Sequence, residues 1–524
     1  MNEDRLLKRR LGFWSLTAAS LGGVIGSGWL FGAMYAAKAA GPESIITWIV
    51  GGIAMLLVGL VFAELGMAKP EAGGLVRYPK LTNGSMVGSL IGFAIWLGFV
   101  ANPPTEASGV VQYASRFWPG LYNGNTLTGR GIAVAIVLML IFVLVNYFGV
   151  NVFAKVNNVV TGIKFVVPVI TIVTLLVAGF HPSNFSGHGG FAPYGWGSGL
   201  SAIATAGIVF AYTGFRNSID LSAEAVNPRR NVPMAIVATI VIAIVLYILL
   251  EIAFMGAVPT KDLIHGWQGV SFNSPFADLA FSLNLTWLYW ILMVDAMVSP
   301  SGSSFSYTAG NARNVYGLAK NRFFPRYFAK IHPKFGVPTR ALILNFIVGL
   351  LYLVPLKSWH SIIALTSALA VYTFSAGAVS VMVFRKVGIS DKYRIRGMNV
   401  IAPLAFVVGS LIIYWDKWSE LQFTIWVLVL GLILYLITYV FNKEKGPEIR
   451  GGIWMVIYLF VVLLLAGLGN FGGAELIPEP YMSIIVAIAS LILYFIGVQS
   501  GVWYMRKVGN VEEIRRENEE MDEG

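Results

Sequence analysis

Apolar runs of about twenty residues recur from one end of this chain to the other, and at 1.5 Å rise per residue that is the length a helix needs to cross a bilayer. The runs at 11–40, 44–67, 85–113, 131–150, 156–180, 197–222, 233–257, 275–312, 340–356, 359–384, 400–415, 422–442, 452–470 and 481–505 predict fourteen spans. Hydrocarbon offers no water to pair backbone N–H and C=O groups, so such runs form helices, and the expected fold is all-α and integral to a membrane. Only 12% of the residues are charged, against about 25% in ordinary soluble domains. The first run is too long for the apolar core of a signal peptide and no A-x-A site closes it, so no cleavable leader is expected. The chain has no cysteine, which excludes disulfide and thiol chemistry.

Charge sets the expected topology. An even number of spans places both termini on one side, and the positive-inside rule makes that side the cytoplasm. Most of the 37 Lys and Arg then fall in the N-terminal segment 1–10, in cytoplasmic loops and in the tail 506–524; the densest cluster runs from Arg313 to Arg340. The net charge of +11 is in this reading topological, not a nucleic-acid surface, and the protein belongs in the plasma membrane with both termini cytoplasmic. No segment reads as a soluble domain. Function must therefore come from the helices and from breaks in them.

Two breaks stand out. Gly22 to Gly32, GGVIGSGWLFG, places five glycines in eleven residues at the middle of the first run, although each glycine costs a helix about 1 kcal/mol relative to alanine. Gly22/Gly26 and Gly28/Gly32 have the GxxxG spacing of close helix contacts. The alternative is an interruption at Gly26-Ser27-Gly28, where the N–H groups that open a half-helix attract an anion. The sixth run, GIVFAYTGFRNSIDLSAEAVNPRRNVP, is interrupted at Tyr212-Thr213-Gly214 and followed at once by Arg216, Asp220 and Glu224. Breaks in the first and sixth spans are what two inverted repeats of five helices produce, with substrate held between them.

At these residues the chain resembles the amino acid–polyamine–organocation superfamily of permeases. The matching stretches are IGSGWLFG, AELGMAKPEAGG (Ala63–Gly74), NYFGVNVFAKVNNVVTGIKF (Asn146–Phe165), FAYTGF…AEAVNPRRNVP and ARNVYGLAKNRFFPRYFAKIHPKFGVP (Ala312–Pro338). GFRNSID and SPSGSSFSYTAGNAR are similar to the aspartate–proton symporter branch. The resemblance implies a LeuT-like fold, with a first repeat over 11–180, a second over 197–384 and about four additional helices over 400–505. It implies a secondary transporter for amino acids, without a cofactor, coupled to protons. Carried onto this sequence, the N–H groups around Gly26, Ser27 and Gly28 would receive the substrate carboxylate, and the carbonyls of Val24, Phe210 and Thr213, beside Gly214, the ammonium. Phe210 reads equally as an aromatic gate or as core.

Charged groups inside spans are costly and so are functional candidates. Lys164, in the fifth span, stands where the resemblance puts a lysine in place of a sodium ion, near a first-helix carbonyl that matches Gly22. Burial penalises a charged amine, so its proton could leave and return; a lysine snorkelling to the interface is the other reading. Ser303 and Ser304 are candidate neighbours, and Glu106, after Asn102-Pro103-Pro104, is a second candidate proton carrier. Arg216 departs from the commoner family pattern, which has an acidic residue just after the break. It could pair bidentately with a substrate side-chain carboxylate, favouring acidic amino acids, or form an internal pair with Glu106, Asp220, Glu251 or Asp295. His181, His188, His265, His332 and His360 lie in loops or near span ends, without metal spacing. No catalytic motif is present, so an enzyme is not expected. The remaining alternatives are an exchanger or general permease for neutral or cationic amino acids, and a channel or sensor.

Overall fold

The computed structural model describes residues 11–70, 74–148, 150–320, 323–333, 335–442, 448–509 and 511–523. Its described residues are mostly helical: α1 (Phe13–Val24), α2 (Gly28–Ala40), α3 (Ser44–Ala68), α4 (Gly74–Asn83), α5 (Ser85–Val100), α6 (Asn102–Ala114), α7 (Gly129–Tyr147), α8 (Val150–Ala178), α9 (Trp196–Thr205), α10 (Ile208–Tyr212), α11 (Arg216–Asp220), α12 (Pro228–Ala257), α13 (Pro275–Ser282), α14 (Thr286–Lys320), α15 (Thr339–Leu356), α16 (Trp359–Lys386), α17 (Met398–Tyr414), α18 (Trp418–Asn442), α19 (Glu448–Leu468), α20 (Tyr481–Lys507) and α21 (Val511–Glu523). A two-stranded hairpin, Tyr122–Asn123 against Thr126–Leu127, is a small departure from the all-α expectation.

Among the described residues, nine helical stretches are long and apolar enough to cross a membrane, or ten when the bent pair Trp196–Thr205 and Ile208–Asp220 counts as one span. That is fewer than fourteen for identifiable reasons. The stretch Gly28–Ala68 counts once although a 3₁₀ turn at Gly41–Glu43 divides α2 from α3. The first run is cut into α1 and α2, and α14 carries buried Ser299, Ser303, Ser304, Thr308 and Asn311. The outer surface is apolar, as lipid contact requires: Val137, Val166, Val173, Val177, Val294, Ile347 and Ile488 all face outward.

The breaks sit where α1, α3, α9–α12 and α14 converge. Along α3, Gly51, Gly52 and Gly59 leave space that Ile208, Ile244 and Ile240 fill, so backbones approach closely. The helix α16 is enclosed along its whole apolar stretch. At its end Arg385 binds Glu64 of α3 with two nitrogens, Nε to Oε1 at 2.5 Å and Nη2 to Oε2 at 2.7 Å. The tail expected over 506–524 is partly helix: Arg506 and Lys507 end α20, and α21 docks through Lys69 to Glu517 at 2.9 Å and Asn518 Nδ2 to the Ala68 carbonyl at 2.8 Å.

Candidate binding and coupling site

The first helix stops at Val24 because Ile25, at φ −88° and ψ 83°, turns the chain into an inverse γ-turn in which the Gly26 N–H donates to the Val24 carbonyl at 3.1 Å. A new helix opens at Gly28; in its first turn the Leu30 N–H donates to the Ser27 carbonyl at 3.0 Å, while the N–H groups of Gly28 and Trp29 come before any helical acceptor. In the sixth run the α-helix stops at Tyr212, at the expected interruption, and it also breaks earlier, at Ala206-Gly207. Gly207 has φ +86°, a conformation that suits glycine alone, and the halves bend by 53°. Thr213–Phe215 is a 3₁₀ turn, tightened where Thr213 Oγ1 donates to the Phe210 carbonyl at 2.8 Å. The two breaks touch: a Cβ on Gly214 would stand 2.6 Å from the Gly23 carbonyl carbon and 2.7 Å from Ser20 O.

The glycines divide their work. Gly23 and Gly214 allow close packing of the two breaks, although neither belongs to the GxxxG pairs Gly22/Gly26 and Gly28/Gly32. A Cβ on Gly26 would collide with Glu106 Oε1 and stand 2.8 Å from Ser303 Oγ, so this position makes room for side chains from α6 and α14. At Gly28 a Cβ would make ordinary van der Waals contact with Ala211 and Phe210, at 3.5–3.6 Å, and collide with nothing.

The polar atoms at the breaks are not free. The Ser27 N–H donates to Glu106 Oε2 at 2.8 Å, and Ser27 Oγ accepts from the Trp359 indole at 2.6 Å. The Val24 carbonyl accepts from Gly26 N–H and from the Tyr247 hydroxyl at 2.9 Å. The Phe210 carbonyl accepts from the N–H and hydroxyl of Thr213, and the Thr213 carbonyl from the N–H and, at 3.3 Å, the Nε of Arg216. Each of the three carbonyls expected to meet an ammonium therefore already has two donors, which fills both lone pairs. A carboxylate reaching the single Ser27 proton must displace Glu106.

Lys164, buried in α8, donates to the Gly22 carbonyl and to Ser303 Oγ, both at 2.9 Å, and Ser303 also donates to Gly22 O at 3.3 Å. It does not snorkel. Glu106 and Asp295 are its charged neighbours. Ser304 is buried but its hydroxyl stays apart from this set. Arg216 lies in an aromatic cage, its guanidinium 4.5 Å from the Phe99 ring centre and 5.8 Å from that of Phe374, with Tyr307 and Asp220 as electrostatic neighbours. Of the four carboxylates considered as its partner, Glu106 is at Ser27, Asp295 takes Ser299 Oγ at 2.8 Å, and Glu251 takes Ser44 and Trp48; Asp220 alone is beside it. Trp359 and Tyr247 carry no signal in the sequence, since an aromatic in an apolar helix reads as core. Among the described residues no three His, Asp or Glu side chains gather as a metal site.

The arrangement brings together N–H groups at the start of α2, carbonyls at the ends of α1 and α10, and a buried lysine and carboxylate, Lys164 and Glu106. The family model described as amino acid permease matches residues 11–498. A glutamate/serine transporter of Bacillus subtilis is 42% identical over 94% of both chains. An aspartate–proton symporter of the same organism is 33% identical over 96% of this chain and 98% of its own. A methylthioribose transporter, also from Bacillus subtilis, is 27% identical over 83% of this chain and 94% of its own. The chain belongs to the amino acid permease family, within the amino acid–polyamine–organocation superfamily.

Proposed function

We propose that this permease carries an amino acid into the cytoplasm together with a proton, by alternating access in the plasma membrane, with both termini cytoplasmic. The fold in this reading is two inverted repeats of five helices, 11–180 and 197–384, followed by four more spans. Paired breaks in the first and sixth runs support the repeat.

The observation that carries the reading is the Glu106 carboxylate on the Ser27 N–H. It occupies the position that the substrate carboxylate requires, beside Gly26 and Gly28. Two carboxylates cannot share one N–H, and a second anion beside a buried one favours entry of a proton with it. Binding and protonation are thereby linked at one atom. Lys164 supplies the fixed cation that ties the Gly22 carbonyl to Ser303, where a sodium ion would otherwise be needed. The ammonium goes to the carbonyls of Val24, Phe210 and Thr213, with Phe210 and Gly214 forming the wall of the site.

Acidic amino acids are the substrates this reading favours. The names of the two similar Bacillus subtilis transporters support it, as does an arginine beside the break. One observation favours neutral substrates instead: Arg216 is already housed between Phe99 and Phe374 and must leave that cage to reach a side-chain carboxylate. Uptake of aspartate, glutamate, serine and alanine into proteoliposomes with an alkaline interior separates the readings. Accumulation of aspartate or glutamate above serine and alanine supports the first. Equal accumulation of all four supports the second, and no gradient-driven uptake of any refutes proton symport.

A further inference from the structure

Glu251 is a fully buried carboxylate that the coupling scheme does not use. It lies on α12 one turn beyond Tyr247, so the two side chains share a face of that helix. Both carboxylate oxygens are held by neutral donors from α3: Ser44 Oγ at 2.5 Å and the Trp48 indole N–H at 2.9 Å. The Trp48 ring, fixed at its N–H, stacks flat on Tyr247, with centroids 4.7 Å apart and planes 9° apart. Tyr212 stands beside this stacked pair. It meets both rings edge-on, at 5.8 Å and 5.5 Å, and its hydroxyl donates to the Trp48 carbonyl at 3.2 Å. Stacked on Trp48 and braced edge-on by Tyr212, the Tyr247 ring carries its hydroxyl to the Val24 carbonyl at 2.9 Å.

That carbonyl is the last of α1, and its other lone pair is taken by the Gly26 N–H of the γ-turn. An incoming ammonium can therefore bind Val24 O only by displacing the tyrosine. We infer that the Tyr247 hydroxyl stands in for the substrate ammonium in the ligand-free site, and that Glu251 is the positioning residue that holds it there through Trp48. The inference rests on the reading of Val24 as an ammonium acceptor. It makes the site symmetrical in its logic: Glu106 covers the N–H end and Tyr247 the carbonyl end, so only a ligand with both charges opens both. Selectivity for amino acids over simple carboxylates then resides partly in Tyr247.

The test uses full-length protein in nanodiscs. Dissociation constants for L-aspartate, L-glutamate and L-serine, and for succinate, which lacks the ammonium, are measured with the wild type, Tyr247→Phe, Glu251→Gln and the double variant. Removing one neutral hydrogen bond that the ligand must break should tighten amino-acid binding about fivefold in Tyr247→Phe. Succinate binding should not change, and the ligand-free melting temperature should fall. Glu251→Gln should act in the same direction but less, and should add nothing in the Tyr247→Phe background. Tyr247→Phe keeps the ring and so keeps the test available if Glu251→Gln fails to insert. Unchanged or weaker amino-acid binding in Tyr247→Phe, or equal shifts for aspartate and succinate, overturns the stand-in role. Full additivity of the two substitutions overturns the positioning role of Glu251. If the wild type binds none of the three amino acids, the transport reading itself fails, and this inference with it.

Discussion

Alanine at Gly26 and alanine at Gly28 should have opposite consequences, although the residues are two apart. Gly26 is not among the positive-φ residues, so an alanine there meets no backbone penalty; the whole effect comes from space. Its Cβ would collide with Glu106 Oε1 and press on Ser303 Oγ at 2.8 Å. Glu106 must swing away and give up the Ser27 N–H, a hydrogen bond to a charged group worth about 1.5–3 kcal/mol. Ser303 must shift too, which loosens the Lys164 contact. Gly26→Ala should therefore lose about 2 kcal/mol of stability and most proton-driven uptake. At Gly28 a methyl makes only ordinary contacts with Ala211 and Phe210, and replacing glycine in a helix gains up to about 1 kcal/mol. Gly28→Ala should melt no lower than the wild type. Its methyl nonetheless stands in front of the first-turn N–H groups, so substrate affinity should fall, and Gly28→Val should abolish binding. Thermal unfolding of purified protein together with equilibrium binding reads both effects. A Gly26→Ala protein that melts and transports like the wild type would refute the role given to Glu106. Normal binding by Gly28→Val would refute the anion site and leave packing as the purpose of these glycines.

Arg216→Ala should weaken aspartate and glutamate binding by about thirtyfold, the lower end of the 2–5 kcal/mol lost when one member of a buried charge pair is removed, while sparing serine. Equal losses for all three with a lowered melting temperature would assign Arg216 to its aromatic cage alone. Asp416, buried in the turn between α17 and α18, is pushed up to about 8 by desolvation. The unfolded chain has an ordinary aspartate near about 4. The native state therefore holds this proton more tightly between those values: the stabilisation is fully present below about pH 4 and is lost as pH rises through about 8. Melting temperature measured against pH should show that decline, and Asp416→Asn should flatten it; an unchanged profile would count against the buried acid.

The spanning helices were legible because the 20-residue apolar period survives in any order of packing. Lys164, Ser303 and Gly22 were legible as a group through the resemblance, and they meet at 2.9 Å. The interruption after Tyr212 was legible, but the break six residues earlier at Ala206-Gly207 was not, because one glycine in an apolar stretch looks tolerable; the positive φ that makes it a break is a tertiary fact. The threonine-glycine pair that drew attention interrupts the α-helix as a 3₁₀ turn, in which the Thr213 hydroxyl satisfies the Phe210 carbonyl. Occupancy of the site by Glu106, Tyr247 and Trp359 depends on contacts from α6, α12 and α16, which lie 79 to 332 residues from the atoms they cover. Sequence spacing carries no trace of such pairings.

The central claim, that substrate and proton enter together through the Ser27–Glu106 contact, is tested most directly by proton entry itself. Proteoliposomes loaded with a pH-sensitive dye, at equal pH on both sides, receive aspartate, glutamate or serine from outside. Acidification of the interior that requires substrate, and that is absent in Glu106→Gln protein which still binds it, is the expected result. Amino-acid uptake with no internal acidification, or acidification unchanged in Glu106→Gln, would contradict it.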